Sequence, residues 1–147
     1  RVDVRTAREM FEAVEKDAKN ADVFISVAAE ADYRVKNPSA QKIKKGNGAP
    51  RLELEENPDI LAWVAALPRP PYCVGFPPES ENLAANAKAK LAKKKVPLIA
   101  ANIAQDTMGR DDNAITLYDA KGEHPLGHGA KLDLARRLIE QVALRLK

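Results

Sequence analysis

Between Asp32 and Lys45 the chain carries a carboxylate, Tyr33, Arg34 and four lysines, Lys36, Lys42, Lys44 and Lys45. No apolar periodicity runs through them, so the stretch reads as a mobile cationic loop rather than an element. It follows a short apolar run, Val23, Phe24, Ile25 and Val27, which reads as a buried strand, too continuous for a half-exposed edge. In open α/β sheets ligands bind beyond the carboxyl ends of the strands, so a loop of this charge points to an anionic small molecule. A second cationic group supports the same chemistry. Asn86, Lys90 and Lys94 are spaced by four, which puts them on one face of a helix. Two ammonium groups one turn apart repel each other unless an anion sits between them.

The elements that must position these groups alternate as in a parallel sheet. Arg1–Val4 reads as the end of a strand and, with no initiating methionine, suggests that sequence is missing upstream. Thr6 and Glu9 form a capping box for a helix running to about Lys19, with Met10, Phe11, Val14 and Ala18 inward. Asn20 ends that helix and the strand of Val23 follows. After turn residues at Gly46–Pro50, the alternation of Arg51–Glu55 predicts a half-exposed strand. Asn57 is the expected N-cap of the next helix, Pro58 suits its first position and Asp59 complements its dipole; Ile60, Leu61, Val64 and Leu67 form its buried stripe, with Trp63 beside it.

Prolines 68, 70 and 71 lead into a buried strand at Tyr72–Phe76, which Pro77–Ser80 is expected to break. A helix follows from about Glu81 to Lys94, then a strand at Val96–Asn102 and a polar loop from Gln105 to Asn113. Ala114–Asp119 reads as a strand turning at Ala120–Gly122 into a short partner that ends near Leu126. Lys131–Lys147 reads as an amphipathic helix with Leu134, Leu138, Val142, Ala135, Ile139 and Leu146 on its apolar face. The expected fold class is α/β: a Rossmann-like, mainly parallel sheet flanked by helices, with an antiparallel extension near the C-terminus. Residues 1–147 form a single domain on this reading, N-terminally incomplete.

Several chemistries are excluded or disfavoured. The chain has no GxxxxGK[ST] loop and no GxGxxG fingerprint. His124 and His128 lack the spacing of a zinc site and read as surface residues. Cys73, the one cysteine, reads as a core residue with no histidine base nearby, and the absence of an internal disulfide suits a reducing, cytoplasmic setting. No run is long enough for a membrane span. The net charge of +3 is concentrated in two lysine clusters, 36–45 and 88–95, but no aromatic residues are interleaved for base stacking, so compact phosphate binding explains them better than nucleic acid.

The ordered succession Ala28-Ala-Glu-Ala-Asp32-Tyr-Arg34, Gln41–Lys45, Asn57–Ile60, Val74–Phe76 followed by Glu79, Lys90 with Lys94, and Ala101-Asn102 resembles the bacterial phosphopantothenoylcysteine synthetase family. The resemblance covers essentially the whole chain. It implies a ligase, usually a homodimer, that joins 4'-phosphopantothenate to L-cysteine in coenzyme A synthesis. Such a ligase uses CTP and Mg2+, passes through an acyl-cytidylate, and releases pyrophosphate and CMP. It is often fused behind phosphopantothenoylcysteine decarboxylase, and FMN is expected only if that domain precedes this one.

Carried onto this chain, the resemblance implies a CTP site made of Ser26, Val27, Ala28, Asp32, Lys42, Pro58, Asp59, Ile60, Leu61, Phe76, Lys90 and Lys94. Lys42 is the expected catalytic residue, its ammonium stabilising charge at the α-phosphate and its loop excluding water. Asp32 is expected to meet the metal, or else a ribose or base donor. Ala29 and Asn102 would face the substrate or the intermediate. Strand-end backbone groups and a helix N-terminus suit a nucleotide physically.

The chain departs from the family in two places. The family begins with a strand, a Gly-Pro-Thr type turn and a Ser/Gly-rich segment containing Asn, which this sequence lacks. Glu30 and Pro77-Pro78 stand where small apolar residues are usual. The alternative reading is therefore a fragment that binds CTP without ligase activity.

Overall fold

A computed structural model describes residues 1–44, 49, 51–79, 82–103 and 109–146. Lys45 of the cationic stretch, 46–48 and 50 of the expected turn, 80 of the expected break, 81 at the expected helix start, 105–108 of the expected polar loop and Lys147 therefore lie outside the described residues. The sheet runs β1 (Val23–Ser26), β4 (Tyr72–Gly75), β6 (Leu98–Ile103), β7 (Asp112–Asp119) and β8 (Gly122–Ala130) in spatial order. The first two pairings are parallel and the last two antiparallel. A short β5 (Pro78–Glu79) adds parallel to the end of β6. Away from this sheet, β2 (Tyr33–Val35) and β3 (Leu54–Glu56) form an antiparallel pair.

The helices are α1 (Ala7–Asp17), continued by a 3-10 turn at Ala18–Asn20, then α2 (Ile60–Ala65), α3 (Leu83–Lys94) and α4 (Lys131–Arg145). Successive side chains of a strand point to opposite faces, and here that alternation divides the core in two. Cys73, Ile99 and Ala101 face the layer of α1, α2 and α3, joined by Leu61, Val64 and Ala87. Val74, Leu98 and Ala100 face α4, where Leu134, Leu138 and Val142 cover them. Gly75 lets α2 come close to the sheet: a Cβ there would lie 2.7 Å from Ile99 Cδ1 and 2.8 Å from Leu61 Cδ2. Phe11 and Trp63 hold α1 to α2 through an edge-on ring contact at 5.1 Å.

The expected class, a mainly parallel sheet flanked by helices with an antiparallel end, is the one observed. Several local expectations are corrected. Arg1–Val4 forms no strand. β1 is the edge of the sheet among the described residues and all four of its residues are half-buried; its apolar run reflects helices packed near it, not strands on both sides. The cationic stretch is not wholly a loop, because Tyr33–Val35 pairs with β3, satisfying its backbone without apolar periodicity.

Asn57 is not the cap of α2. Asp59 is, its Oδ1 accepting from the Ala62 amide at 3.0 Å, and the helix starts at Ile60. At α1 the Thr6 hydroxyl accepts from the Glu9 amide, while Glu9 reaches back to the amide of Arg5 instead of Thr6. Residues 78–79 continue as a strand by pairing with β6. β7 begins at Asp112, and β8 runs on to Ala130, carrying both histidines in a strand. On α4, Ala135, Ile139 and Leu146 are exposed, because one stripe of Leu134, Leu138 and Val142 suffices to cover the sheet.

Candidate functional site

A cleft of about 360 Å³ opens beyond the carboxyl ends of β1 and β4, where an open α/β sheet offers space between diverging connections. Four segments build it. The first is Ser26 and the run Ala28–Asp32 that leaves β1. The second is Asn57–Asp59 with Leu61, at the start of α2, and the third is Phe76 and Pro77, which follow β4. Lys90 and Lys94, on one face of α3, close the fourth side, and Ile99 of β6 forms part of the floor. The spacing by four does put the two lysines on a common face, and that face is the one turned to the cleft.

Of the residues expected to bind nucleotide or substrate, Ser26, Ala28, Ala29, Asp32, Pro58, Asp59, Leu61, Phe76, Lys90 and Lys94 line this cleft. Four do not. Val27 points to solvent at 61% exposure, and Ile60 is a core residue at 2%. Lys42 is exposed in the segment after β2 and lies outside the lining. Asn102 is half-buried in β6, paired with Pro78.

Charges in the cleft are partly spoken for. Asp59 caps α2 and takes an ion pair from Lys94 Nζ at 3.1 Å. That carboxylate already takes the Ala62 amide and places its own negative charge at the start of a helix only six residues long, so an anion at this helix start has little to gain there. Asp32 and Glu30 remain as the other carboxylates on the lining. Among the described residues no three His, Cys, Asp or Glu side chains converge as a metal cage. Mg2+ is commonly held by one or two carboxylates plus the phosphates of its nucleotide, and a wall with Asp32 available fits that mode.

Asn57 went unrecognised as a site residue because its type and place, just before Pro58, read as a helix cap. Its Nδ2 donates to the Ala31 carbonyl at 2.7 Å, its backbone amide to the Asp32 carbonyl at 2.8 Å, and its Oδ1 accepts from Arg34 Nη1 at 3.0 Å. Arg34 in turn bonds the Glu56 carbonyl at 2.8 Å and the Glu55 carboxylate at 2.9 Å. Behind the Ala28–Ala31 run lies a second cavity of about 590 Å³, lined also by Arg5, Met10 and Val35, so this run is a wall with space on both sides.

Away from the cleft, Cys73 is 1% exposed, donates to the Pro71 carbonyl at 3.3 Å, and burial pushes its thiol up to about 11. It is a core residue, as its type and place predicted. His124 and His128 lie on β8 against Asp119 at 3.0 Å and Asp112 at 3.1 Å, with no cysteine near them.

A mainly parallel sheet flanked by helices, with a cleft at its strand ends faced by a lysine pair and carboxylates, defines an α/β domain with a candidate small-molecule site. The chain belongs to the family described as DNA/pantothenate metabolism flavoprotein C-terminal domain, whose model matches residues 1–145. It is 39% identical over 97% of its length to a coenzyme A biosynthesis bifunctional protein CoaBC of Vibrio cholerae, and 38% identical over 99% to that of Escherichia coli. The chain spans 37% of the length of each of these relatives. A crystal structure of the C-terminal domain of CoaBC superposes with a TM-score of 0.79 at 31% identity, covering 99% of this chain and 65% of that one. A DNA/pantothenate metabolism flavoprotein from Streptococcus pneumoniae shares the fold, with a TM-score of 0.77 at 16% identity over 97% of this chain and 71% of its own. Among the described residues no helix is long and apolar enough to cross a membrane.

Proposed function

We propose that this chain binds CTP and serves, in coenzyme A biosynthesis, the ligase step that joins 4'-phosphopantothenate to L-cysteine. In the first half-reaction a carboxylate oxygen of phosphopantothenate attacks the α-phosphorus, and the bond to the β-phosphate breaks with loss of pyrophosphate. In the second, the cysteine amine attacks the acyl carbon, loses a proton, and CMP departs with the electrons of the anhydride bond. The observation that carries this reading is the meeting of Lys90, Lys94 and Asp32 with the ends of β1 and β4 around one cleft. Two ammonium groups there offset triphosphate charge, and the apolar faces of Leu61 and Phe76 suit a flat base. Family membership and the printed names of the relatives support the pathway.

Asp32 would hold Mg2+ where it meets the phosphates, and the ion would supply further neutralisation of their charge. Lys42 would act at the α-phosphate once its segment folds over bound nucleotide, excluding the water that would hydrolyse an acyl-phosphate anhydride. A homodimer, and FMN on a preceding decarboxylase domain, belong to this reading too. The test is calorimetric titration with CTP and Mg2+, then product formation from CTP, 4'-phosphopantothenate and cysteine by this chain and by one extended upstream. Saturable CTP binding and amide formation by at least the extended chain are expected; failure to bind CTP would overturn the reading. The position of Lys42 outside the cleft favours a second reading, a module that binds CTP without chemistry. CTP binding with no product from either chain would select it.

A further inference from the structure

Resting on the nucleotide reading, we infer that Asn57 is a positioning residue that holds one wall of the cleft at its distance from the other. The wall Ala28–Asp32 has open space in front, about 360 Å³, and behind, about 590 Å³, so packing alone does not fix it. Outside the strand ladders, the hydrogen bonds to it seen among the described residues come from Asn57: Nδ2 to the Ala31 carbonyl and the backbone amide to the Asp32 carbonyl. The opposite wall begins at the next residue. Pro58 and Asp59 line the cleft, Asp59 caps α2, and Lys94 of α3 is paired to Asp59 at 3.1 Å. One side chain therefore links the run after β1 to a chain of contacts reaching the lysine-bearing helix.

Chemistry selects an amide at this position. The Ala31 carbonyl can only accept and the Arg34 guanidinium can only donate, so the residue between them must offer one donor and one acceptor. Asparagine does so at the right length, its Oδ1 toward Arg34 and its Nδ2 toward Ala31. Arg34 is itself held by Glu55 and the Glu56 carbonyl, which anchors the amide's orientation to the β2–β3 pair. Aspartate would keep the contact to Arg34 and lose the donor to Ala31. Leucine would keep the volume and lose both.

The experiment uses the full chain, unsubstituted and as Asn57→Asp and Asn57→Leu. Amide hydrogen exchange without ligand reads residues 28–35, and calorimetry reads the CTP dissociation constant of the folded protein. Exchange in 28–35 is expected to quicken in the order unsubstituted, Asp, Leu, with the amides of α3 and β6 unchanged. The dissociation constant is expected to rise in the same order, by about tenfold for each hydrogen bond lost. Quickened exchange confined to 28–35, with α3 and β6 unchanged, is what a general loss of stability would not produce, and Asn57→Asp also serves if Asn57→Leu fails to fold. Equal exchange and equal CTP affinity across the variants would overturn the inference. Absence of CTP binding by the unsubstituted chain would overturn the nucleotide reading, and the exchange order alone would then decide whether Asn57 holds the wall.

Discussion

Lys42 and Asn57 show how differently two residues of the same neighbourhood can act. Asn57 is fixed by three hydrogen bonds, whereas Lys42 stands exposed off the cleft, so any part it has in the reaction must come with bound nucleotide. Lys42→Gln is expected to leave the CTP dissociation constant within about threefold while turnover falls by about a hundred- to a thousandfold, the usual cost of removing one group that stabilises transition-state charge. Steady-state kinetics beside calorimetry separates the two effects. Unchanged turnover would take Lys42 out of the chemistry.

At the scale of elements, the close approach of α2 to the sheet is set by Gly75. In Gly75→Ala the new methyl would press on Ile99 and Leu61, which are 1% and 6% exposed and have little room to move. A loss of about 1–3 kcal/mol is expected from overpacking, measured by urea denaturation. Leu61 and Ile99 also line the cleft, so CTP affinity should fall in the same variant. The end of α3 gives a change of opposite sign. Lys95 closes that helix at φ 52°, a left-handed conformation that glycine adopts without a Cβ clash. Lys95→Gly is expected to stabilise the chain by about 1 kcal/mol, and a denaturation midpoint that stays put or drops would refute the strain.

The molecule as a whole is tied at its antiparallel end by Asp119. This carboxylate, at the close of β7, bonds His124 of β8 at 3.0 Å and Arg145 at the end of α4 at 3.0 and 3.1 Å. Burial pushes its acid upward, but the hydrogen bonds from His124, the Lys121 amide and Arg145 outweigh that and hold it at about 2, below the usual 3.8. A depressed carboxylate contributes stability in full above its unfolded value, and that contribution is lost as pH falls from about 3.8 through about 2. Acid titration followed by circular dichroism should therefore show Asp119→Asn less stable than the unsubstituted chain at pH 6, with the gap closing toward pH 2. A gap independent of pH would mean that shape, not charge, makes this tie.

How much could be read in advance depended on how local the cause was. The capping threonine at Thr6, the buried stripe Ile60, Leu61 and Val64, and the four-residue spacing of Lys90 and Lys94 follow from short-range geometry and stand as read. The order of strands and helices, and hence the α/β class, follows from the same patterns. Errors came where a residue's partner lies far along the chain. Asn57 had the type of a cap, and only the folding of Ala31 and Arg34 against it made it a clasp. Tyr33–Val35 had no pattern of its own, because β3, twenty residues on, supplies its order through backbone bonds that side-chain types do not record. The edge position of β1 and the bare outer side of α4 were likewise decided by which surfaces met. By itself the sequence determined the elements and the charges they carry. Only the tertiary structure decided which of those charges share a cleft, since that rests on contacts between segments whose separation along the chain leaves no local trace.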